Sequence, residues 1–473
     1  MLRLVCTSCL VMITMLAIPQ AGWAQSDLDI SPPRMIPQSI RQESVSVRNP
    51  VTSEARWGNG ENTLSDPEEP YSLEMLLGLA SQSNPTIRQA RMQISATLAQ
   101  ALQAGLYPNP RMMYLAENIN AGGTPGEFQG IEIEQRIVTA NKLELSRNKY
   151  LQRAKVAEHL AVAQQFRVCN DVRMHFASTL AAEEVLKLKR EMLETAKDHL
   201  ITSRELYNLG QANKVDLRKA LADLRRHQLE YLAAQNEVRS RFYMLTSLVG
   251  EELFPAPLIG SLDADNDCLI DFDVAYGRLL GESPEILAAY AKLKEDHITL
   301  HRENVEWVPD LVIAGGPGYN FEGQDPVANF SLSFEVPLYD RNQGTIRQAQ
   351  LDRSRQQQEI RRTEMMLRKS LADQYNKYIT AVQHVESYKS DVLPESRKAY
   401  EQGLESYKAN REEWPVVLDL HREYTMRRLE QIDNLLAKRS AEIMINGYLL
   451  HGGLEAAPSP TPPGHMDATP KPR

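Results

Sequence analysis

Phe330-Ser331-Leu332-Ser333-Phe334-Glu335-Val336 alternates an apolar residue with a small polar or acidic one. Period two belongs to a β-strand with one oily face and one wet face. Ile131-Glu132-Ile133-Glu134 keeps the same rhythm in the first half of the chain. Partner strands are expected at about 110–118 and 310–319, each 9–11 residues long, the length that crosses a bilayer at a tilt. Gly-rich stretches separate the members of each pair, Ala121-Gly122-Gly123-Thr124-Pro125-Gly126 and Asn320-Phe321-Glu322-Gly323-Gln324-Asp325-Pro326.

Working outward, the two strand pairs sit inside a long duplication. Ser83-Asn84-Pro85, Tyr107-Pro108, Glu134, Tyr207-Asn208-Leu209-Gly210 and Leu248-Val249 recur as Ser283-Pro284, Trp307-Val308-Pro309, Glu335, Tyr407-Lys408-Ala409-Asn410 and Tyr448-Leu449. The displacement stays close to 200 positions, so one architectural unit is used twice. Each unit reads helix, paired short strands, very long helix, turn, helix.

Between Ile131 and Phe254 there is no proline, and the only glycines are Gly210 and Gly250. That predicts a helical hairpin whose first arm, about 142–208, is roughly 100 Å long at 1.5 Å per residue. Leu186, Leu193, Leu200 and Tyr207 recur every seven residues, echoed by Leu393, Tyr400 and Tyr407. Heptad spacing implies coiled-coil packing. Gly210 and Asn410 mark the two hairpin turns, because both residue types accept left-handed backbone at a helix end. Pro415 suits a first helical turn, whereas Pro394 should bend or break the second long helix.

Residues 1–24 carry one charge, Arg3, then an apolar run and a small-residue end at Gly22-Trp23-Ala24. This is the pattern of a secretory signal. Residues 25–70 form an expected extended arm, 71–270 the first repeat, 271–454 the second, and 455–473 a Pro-rich disordered tail. Loss of the signal removes Cys6 and Cys9 and leaves Cys169 and Cys268, too few for a disulfide framework. The net charge of −9 argues against a nucleic-acid partner. No later segment is apolar enough for a spanning helix, so any crossing of a membrane must use strands.

Four strands cannot close a barrel. Open edges would leave backbone N–H and C=O groups unpaired in lipid, at several kcal/mol each. Other copies of the chain must complete the wall. Since the smallest spanning barrels have about 8 strands, three chains would supply about 12.

The body, residues 71–454, resembles the TolC family of outer membrane efflux channels. The resemblance rests on the duplication, the Asn84-Pro85 opening, the strand pairs and Tyr207-x-x-Gly210. Its most specific piece is Phe334-Glu335-Val336-Pro337-Leu338-Tyr339-Asp340-Arg341-Asn342-Gln343-Gly344, similar to the strand-to-helix junction of the heavy-metal branch, the CzcC and CusC type. The first copy, Ile137-Val138-Thr139-Ala140-Asn141-Lys142, lacks that motif. At the junction Pro337 should end the strand, Asp340 or Asn342 cap the following helix, and Gly344 permit a tight approach.

The resemblance implies a mainly α fold with membrane β: a homotrimer with a 12-stranded barrel in outer membrane lipid and an α-helical periplasmic tunnel. It implies docking onto a periplasmic adaptor (a membrane fusion protein) and an inner-membrane RND-type pump. The chain would be a passive gated exit duct from periplasm to exterior, heavy-metal cations being the favoured cargo. It further implies a periplasmic aperture narrowed by Asp419, with Asp216, Glu412 and Glu413 adding charge, while Val416 stands where family channels often have Asp. Leu209, Gly210, Gln211 and Asn410 match the adaptor-docking hairpin tips. Leu209 also suits a local hydrophobic cap.

His297 and His301 have a chelating spacing but no clear third ligand beside Glu295, Asp296 and Glu303, so an exposed helix face is expected and no metal site. Met112-Met113 and Met365-Met366 read as packing. There is no His-Glu-x-x-His, Gly-x-Ser-x-Gly or phosphate loop, and Gly315-Gly316-Pro317-Gly318 falls in a strand; neither enzymatic activity nor a cofactor is expected. Two other readings compete: a channel of the same fold serving drug efflux or type I secretion, and a periplasmic coiled-coil scaffold or adaptor without a barrel.

Overall fold

The structure is a computed structural model that describes residues 70–119, 126–210, 212–263, 269–409 and 411–461. The expected signal, nearly all of the N-terminal arm, Cys268 and the end of the tail lie outside these residues. No helix among the described residues is long and apolar enough to cross a membrane.

The first half runs β1 (Tyr71–Ser72), α1 (Leu73–Ser83), α2 (Pro85–Gly105), β2 (Arg111–Glu117), β3 (Phe128–Ile137), α3 (Lys142–Asn208) and α4 (Lys214–Val249). After β4 (Leu258–Ile259) the second half runs α5 (Phe272–Glu282), α6 (Pro284–Val305), β5 (Leu311–Asn320), β6 (Asp325–Phe334), α7 (Gln343–Ser387), α8 (Leu393–Lys408) and α9 (Trp414–Asn446). The 67-residue α3 is unbroken. Its counterpart is divided by a π turn, Tyr388–Val392, immediately before Pro394. Proline has no N–H for its i→i−4 bond, and a wider turn absorbs the mismatch without ending the rod.

The Asn84-Pro85 landmark is a joint. Asn84, fully buried, accepts from the N–H groups of Thr86 at 2.9 Å and Ile87 at 3.4 Å, capping α2, while Pro85 fills the first helical turn. Its amide also donates to the carbonyl of Leu248 at 2.7 Å, pinning the end of α4. Ser283 occupies the matching position without a capping bond. Around this joint Leu76, Ala80, Val168, Val172, Phe176, Leu245 and Val249 form one core. Leu371, Tyr378, Val382, Ala441 and Ile445 build a second core in the other half.

The strands form one antiparallel sheet in the order β2-β3-β5-β6, with the two halves meeting at β3–β5. Met112 opposes Ile133, Ile133 opposes Gly315, and Gly315 opposes Phe330. Tyr114 opposes Ile131, and Ile313 opposes Leu332. One face is therefore apolar across all four strands, and Met112, Tyr114, Ile131, Ile133, Phe330, Leu332 and Phe334 are exposed on it. The other face is wet: Asn329 donates to Glu132 at 2.7 Å, and Arg111 lies 3.5 Å from Glu134. At Gly316 a Cβ would sit 1.9 Å from the Ile131 carbonyl oxygen, so glycine is needed for close backbone approach.

The junctions correct three expectations. β6 ends at Phe334, leaving Glu335 and Val336 outside the ladder ahead of Pro337. Gly344 has open space where a Cβ would go, so it serves no tight approach. Asn342 stands at the helix start in left-handed conformation, φ 60°, and makes no capping bond. Its amide instead donates to the carbonyl and carboxylate of Glu303, both at 2.9 Å, and Asp340 accepts its backbone N–H at 2.9 Å. Asn141 adopts the same conformation, φ 54°, before α3. There the bracing acid is Asp310, which accepts from Lys142 at 2.9 Å and pairs with Arg136 at 2.6 Å. The shared device is a left-handed Asn, hidden by the dissimilar flanks.

After α9 the chain crosses back onto the first half. Asn170 donates to the carbonyls of Gly447 and Leu450, both at 2.9 Å. Asp171 accepts from the N–H groups of Gly452 at 3.1 Å and Gly453 at 2.7 Å. Gln164 donates to the carbonyls of Gly453 and Glu455, both at 3.0 Å. Pro460 is buried. Asn170→Ala would orphan two carbonyls in a buried clamp and is expected to cost about 2–4 kcal/mol. A lowered urea midpoint checks it, and an unchanged midpoint would show that the clamp is slack.

Candidate functional site: the helical hairpin tips

Two hairpin turns lie far from the sheet along α3/α4 and α8/α9. α3 closes with the N–H of Leu209 on the Glu205 carbonyl at 3.0 Å, and Gly210 turns the chain at φ 72°. A glycine there escapes the left-handed penalty. In the second turn the N–H of Arg411 bonds the Ser406 carbonyl at 2.9 Å, the six-to-one bond of a Schellman end. Gln211 and Asn410, two of the expected tip residues, lie outside the described residues. Leu209 is 72% exposed, so it is not a buried hydrophobic cap and is free to meet another surface.

The helices that leave the turns begin differently. Asn213 accepts from the N–H groups of Val215 at 2.7 Å and Asp216 at 3.0 Å, and Asp216 accepts the Asn213 N–H at 3.4 Å. Asp216 thus completes a capping box at the start of α4 and favourably meets the positive end of the helix. Glu413 heads α9 without a capping bond, and Glu412 and Glu413 are both exposed. Asp419, with 76% of its side chain exposed, lies 3.5 Å from Arg422. An exposed i,i+3 pair of this kind is weak. Asp216 and Asp419 therefore each interact within their own helix end, and α3 packs against both α4 and α9. Within one chain no described ion pair or hydrogen bond joins Asp216 to Asp419.

Sequence reasoning missed the aromatic buttress behind the second tip. The Trp414 ring lies 4.9 Å from Tyr407 and 6.4 Å from His199 of α3. Further up, Tyr400 stacks on Tyr424 and touches His421. Burial pushes the His199 imidazole below its usual range, with Asp223 opposing. Burial does the same to His421, assisted by His227 and Arg428 and opposed by Glu191. Neutral imidazoles suit these packed positions. The heptad residues Tyr400 and Tyr407 were the available signal.

The expected exposed face of α6 is only half right. His297 and His301 are exposed, but Glu295, Asp296 and Glu303 are buried. Arg153 of α3 meets Glu295 at 2.7 Å, and Lys292 reaches Glu295 at 3.1 Å and Asp296 at 3.0 Å. Glu295, Asp296 and Thr299 line one α6 stripe between α3 and α7, and in a sequence they look like any solvated face. Burial raises the Asp296 carboxyl to about 6, against the pull of Lys292, with Glu295 and Asp352 adding to the rise.

Comparison with known proteins follows this geometry. Residues 76–251 match the family described as outer membrane efflux protein. The cobalt-zinc-cadmium resistance protein CzcC of Cupriavidus metallidurans is 25% identical over 360 residues, covering 75% of this chain and 84% of the relative. The nickel-cobalt-cadmium resistance protein NccC of Alcaligenes xylosoxydans xylosoxydans is 26% identical over 286 residues, 59% of this chain and 63% of the relative. Crystal structures of CusC, described by their conformational changes on folding and transmembrane channel formation, superpose with a TM-score of 0.68 at 16% identity, covering 80% of this chain and 92% of theirs.

Two expectations follow. Asn213→Ala removes the α4 cap and should cost about 1 kcal/mol, seen as faster amide exchange confined to residues 214–218. For Asp296 the folded carboxyl titrates above its unfolded value, so its stabilising contribution is present at low pH and lost as pH rises through about 6. The unfolding midpoint should therefore rise between pH 7 and pH 5, and Asp296→Asn should flatten that rise.

Proposed function

We propose that this chain, whose residues 76–251 match the outer membrane efflux protein family, is the exit duct of a heavy-metal efflux system. It is an outer membrane channel with a large periplasmic portion, carrying its cargo outward without chemistry of its own. The carrying observation is the sheet: four antiparallel strands, an apolar exposed face on one side, a charged face on the other, and two open edges at β2 and β6.

Water gives no reason to expose Met112, Tyr114, Phe330, Leu332 and Phe334 together. Hydrocarbon gives one, provided that the edges are paired. We therefore assign the edge of β2 to β6 of another copy, a homotrimer, and a barrel of about 12 strands. The helices continue from the barrel as the wall of a periplasmic tunnel. A scaffold without a barrel has no use for such a sheet.

The cargo follows from the relatives. Proteins named for cobalt, zinc, cadmium and nickel resistance align over most of the body, which supports divalent heavy-metal cations over drugs or secreted proteins. At the periplasmic end Asp419, repeated by symmetry, forms a carboxylate ring, with Asp216, Glu412 and Glu413 adding to its field. Arg422 at 3.5 Å moderates that ring, and Val416 leaves it one acid thinner. The tips, with Leu209 and Gly210 exposed, dock a periplasmic adaptor that links the duct to an inner-membrane RND-type pump.

Purified protein in detergent should have the mass of three chains and give a cation-selective conductance in planar bilayers. Asp419→Ala should lower cation selectivity severalfold and raise conductance if the ring constricts the tip. A monomer without conductance would remove the barrel and return the scaffold reading.

A further inference from the structure

A groove of about 540 Å³ crosses α3, α6 and α7 above the buried charge network. Gln152, Lys294, His297, Arg353 and Gln357 line it together with Leu293 and Ile298, and no carboxylate does. In a chain of net charge −9 this is a local reversal of sign. Three of the eight Lys and Arg side chains of α7 are ion-paired within the helix: Arg355 with Asp352, Arg362 with Glu359, Lys377 with Asp373. Arg353 and Lys294 have no hydrogen-bond or ion-pair partner among the described residues. The Arg353 Nε is buried and unsatisfied. A guanidinium N–H left unpaired in a groove is costly unless a ligand takes it.

The neighbouring acids do not fill that need. Glu295 and Asp296 turn inward to Arg153 and Lys292, and Asp352 lies beside Arg355. On α3, His159 is held below the usual imidazole range by burial, opposed by Glu158 and reinforced by Lys294.

We propose that this groove binds a phosphate-type oxyanion, either free or carried on a small soluble molecule. Arg353 offers a planar fork matched to phosphate oxygens, Lys294 a point charge, and Gln152, Gln357 and His297 further polar atoms at the rim. The side on which it opens follows from helix geometry. Val168 lies under the C-terminal segment, where Gly453 packs on it. Gln152, sixteen residues earlier, is turned roughly 160° from Val168 about the α3 axis. The groove therefore faces away from the segment after α9. On the channel reading, and only on it, this side is the lumen, where a bound oxyanion cancels positive charge that would repel a passing divalent cation.

The test is calorimetric titration of the solubilised full-length protein with inorganic phosphate and, separately, glycerol 3-phosphate, at pH 7 and constant ionic strength set with chloride. Saturable binding is expected, and the tighter probe identifies the source. Arg353→Gln and Lys294→Gln should each weaken it about tenfold, the loss of one charge-assisted bond. Lys377→Gln, on the same helix outside the groove, should leave it unchanged. Lys294 is exposed, so its variant decides the matter even where Arg353→Gln folds poorly. No saturable binding by the wild type, or equal weakening by Lys377→Gln, would overturn the proposal. Neither result depends on whether the protein conducts, so the channel reading stands or falls separately.

Discussion

Backbone hydrogen bonding in hydrocarbon is the constraint from which the rest follows. A sheet with an oily face can sit in lipid only when every N–H and C=O along its edges is paired. Among the described residues that sheet has four strands and two open edges. On the channel reading, multiplicity is thus a requirement of the backbone before it is a property of any side chain. The long helices answer a second need, reach: 67 residues of α3 span about 100 Å, far beyond the size of the cores that hold it. Among the described residues the two largest cores lie one in each half, with smaller clusters at Val156–Ala288–Ala291 and Leu279–Ile286–Leu367.

Much of this was legible because lipid-facing strands announce themselves through period two, and long helices through the absence of proline. Phe330, Leu332 and Phe334 could be read as one face from their spacing alone. The turn at Gly210 was equally plain, since glycine is the default where the backbone goes left-handed. The strand end was less so: Val336 continues the alternation, yet pairing stops at Phe334, because alternation records which face a residue prefers and not where its partner strand ends.

What stayed hidden was the pairing of polar side chains with backbone and charges far away in sequence. Asn84 spends its amide on Leu248, Asp310 of the second half braces the junction of the first, and Asn170 and Asp171 hold the end of the chain. None of these pairings has a sequence period. The α6 acids were hidden for a different reason: Glu295 and Asp296 belong to a stripe that looks solvated until Arg153 and Lys292 are placed against it. Among the tip acids, the spacing of Asp216 from Asn213 fits a capping box as well as it fits an aperture.

The clamp on the C-terminal segment has a bearing on how the molecule matures. Thr86 donates to the carbonyl of Gly453 at 2.8 Å across 367 positions, so the joint between α1 and α2 is finished by a segment that follows the second repeat. Contacts of such sequence separation close late, because a long loop must be paid for in entropy before they form. Until then Gln164, Asn170 and Asp171 of the first repeat lack the partners they hold in the folded chain. A chain cut short before Gly447 would thus leave Gln164, Asn170 and Asp171, all buried on α3, without those partners.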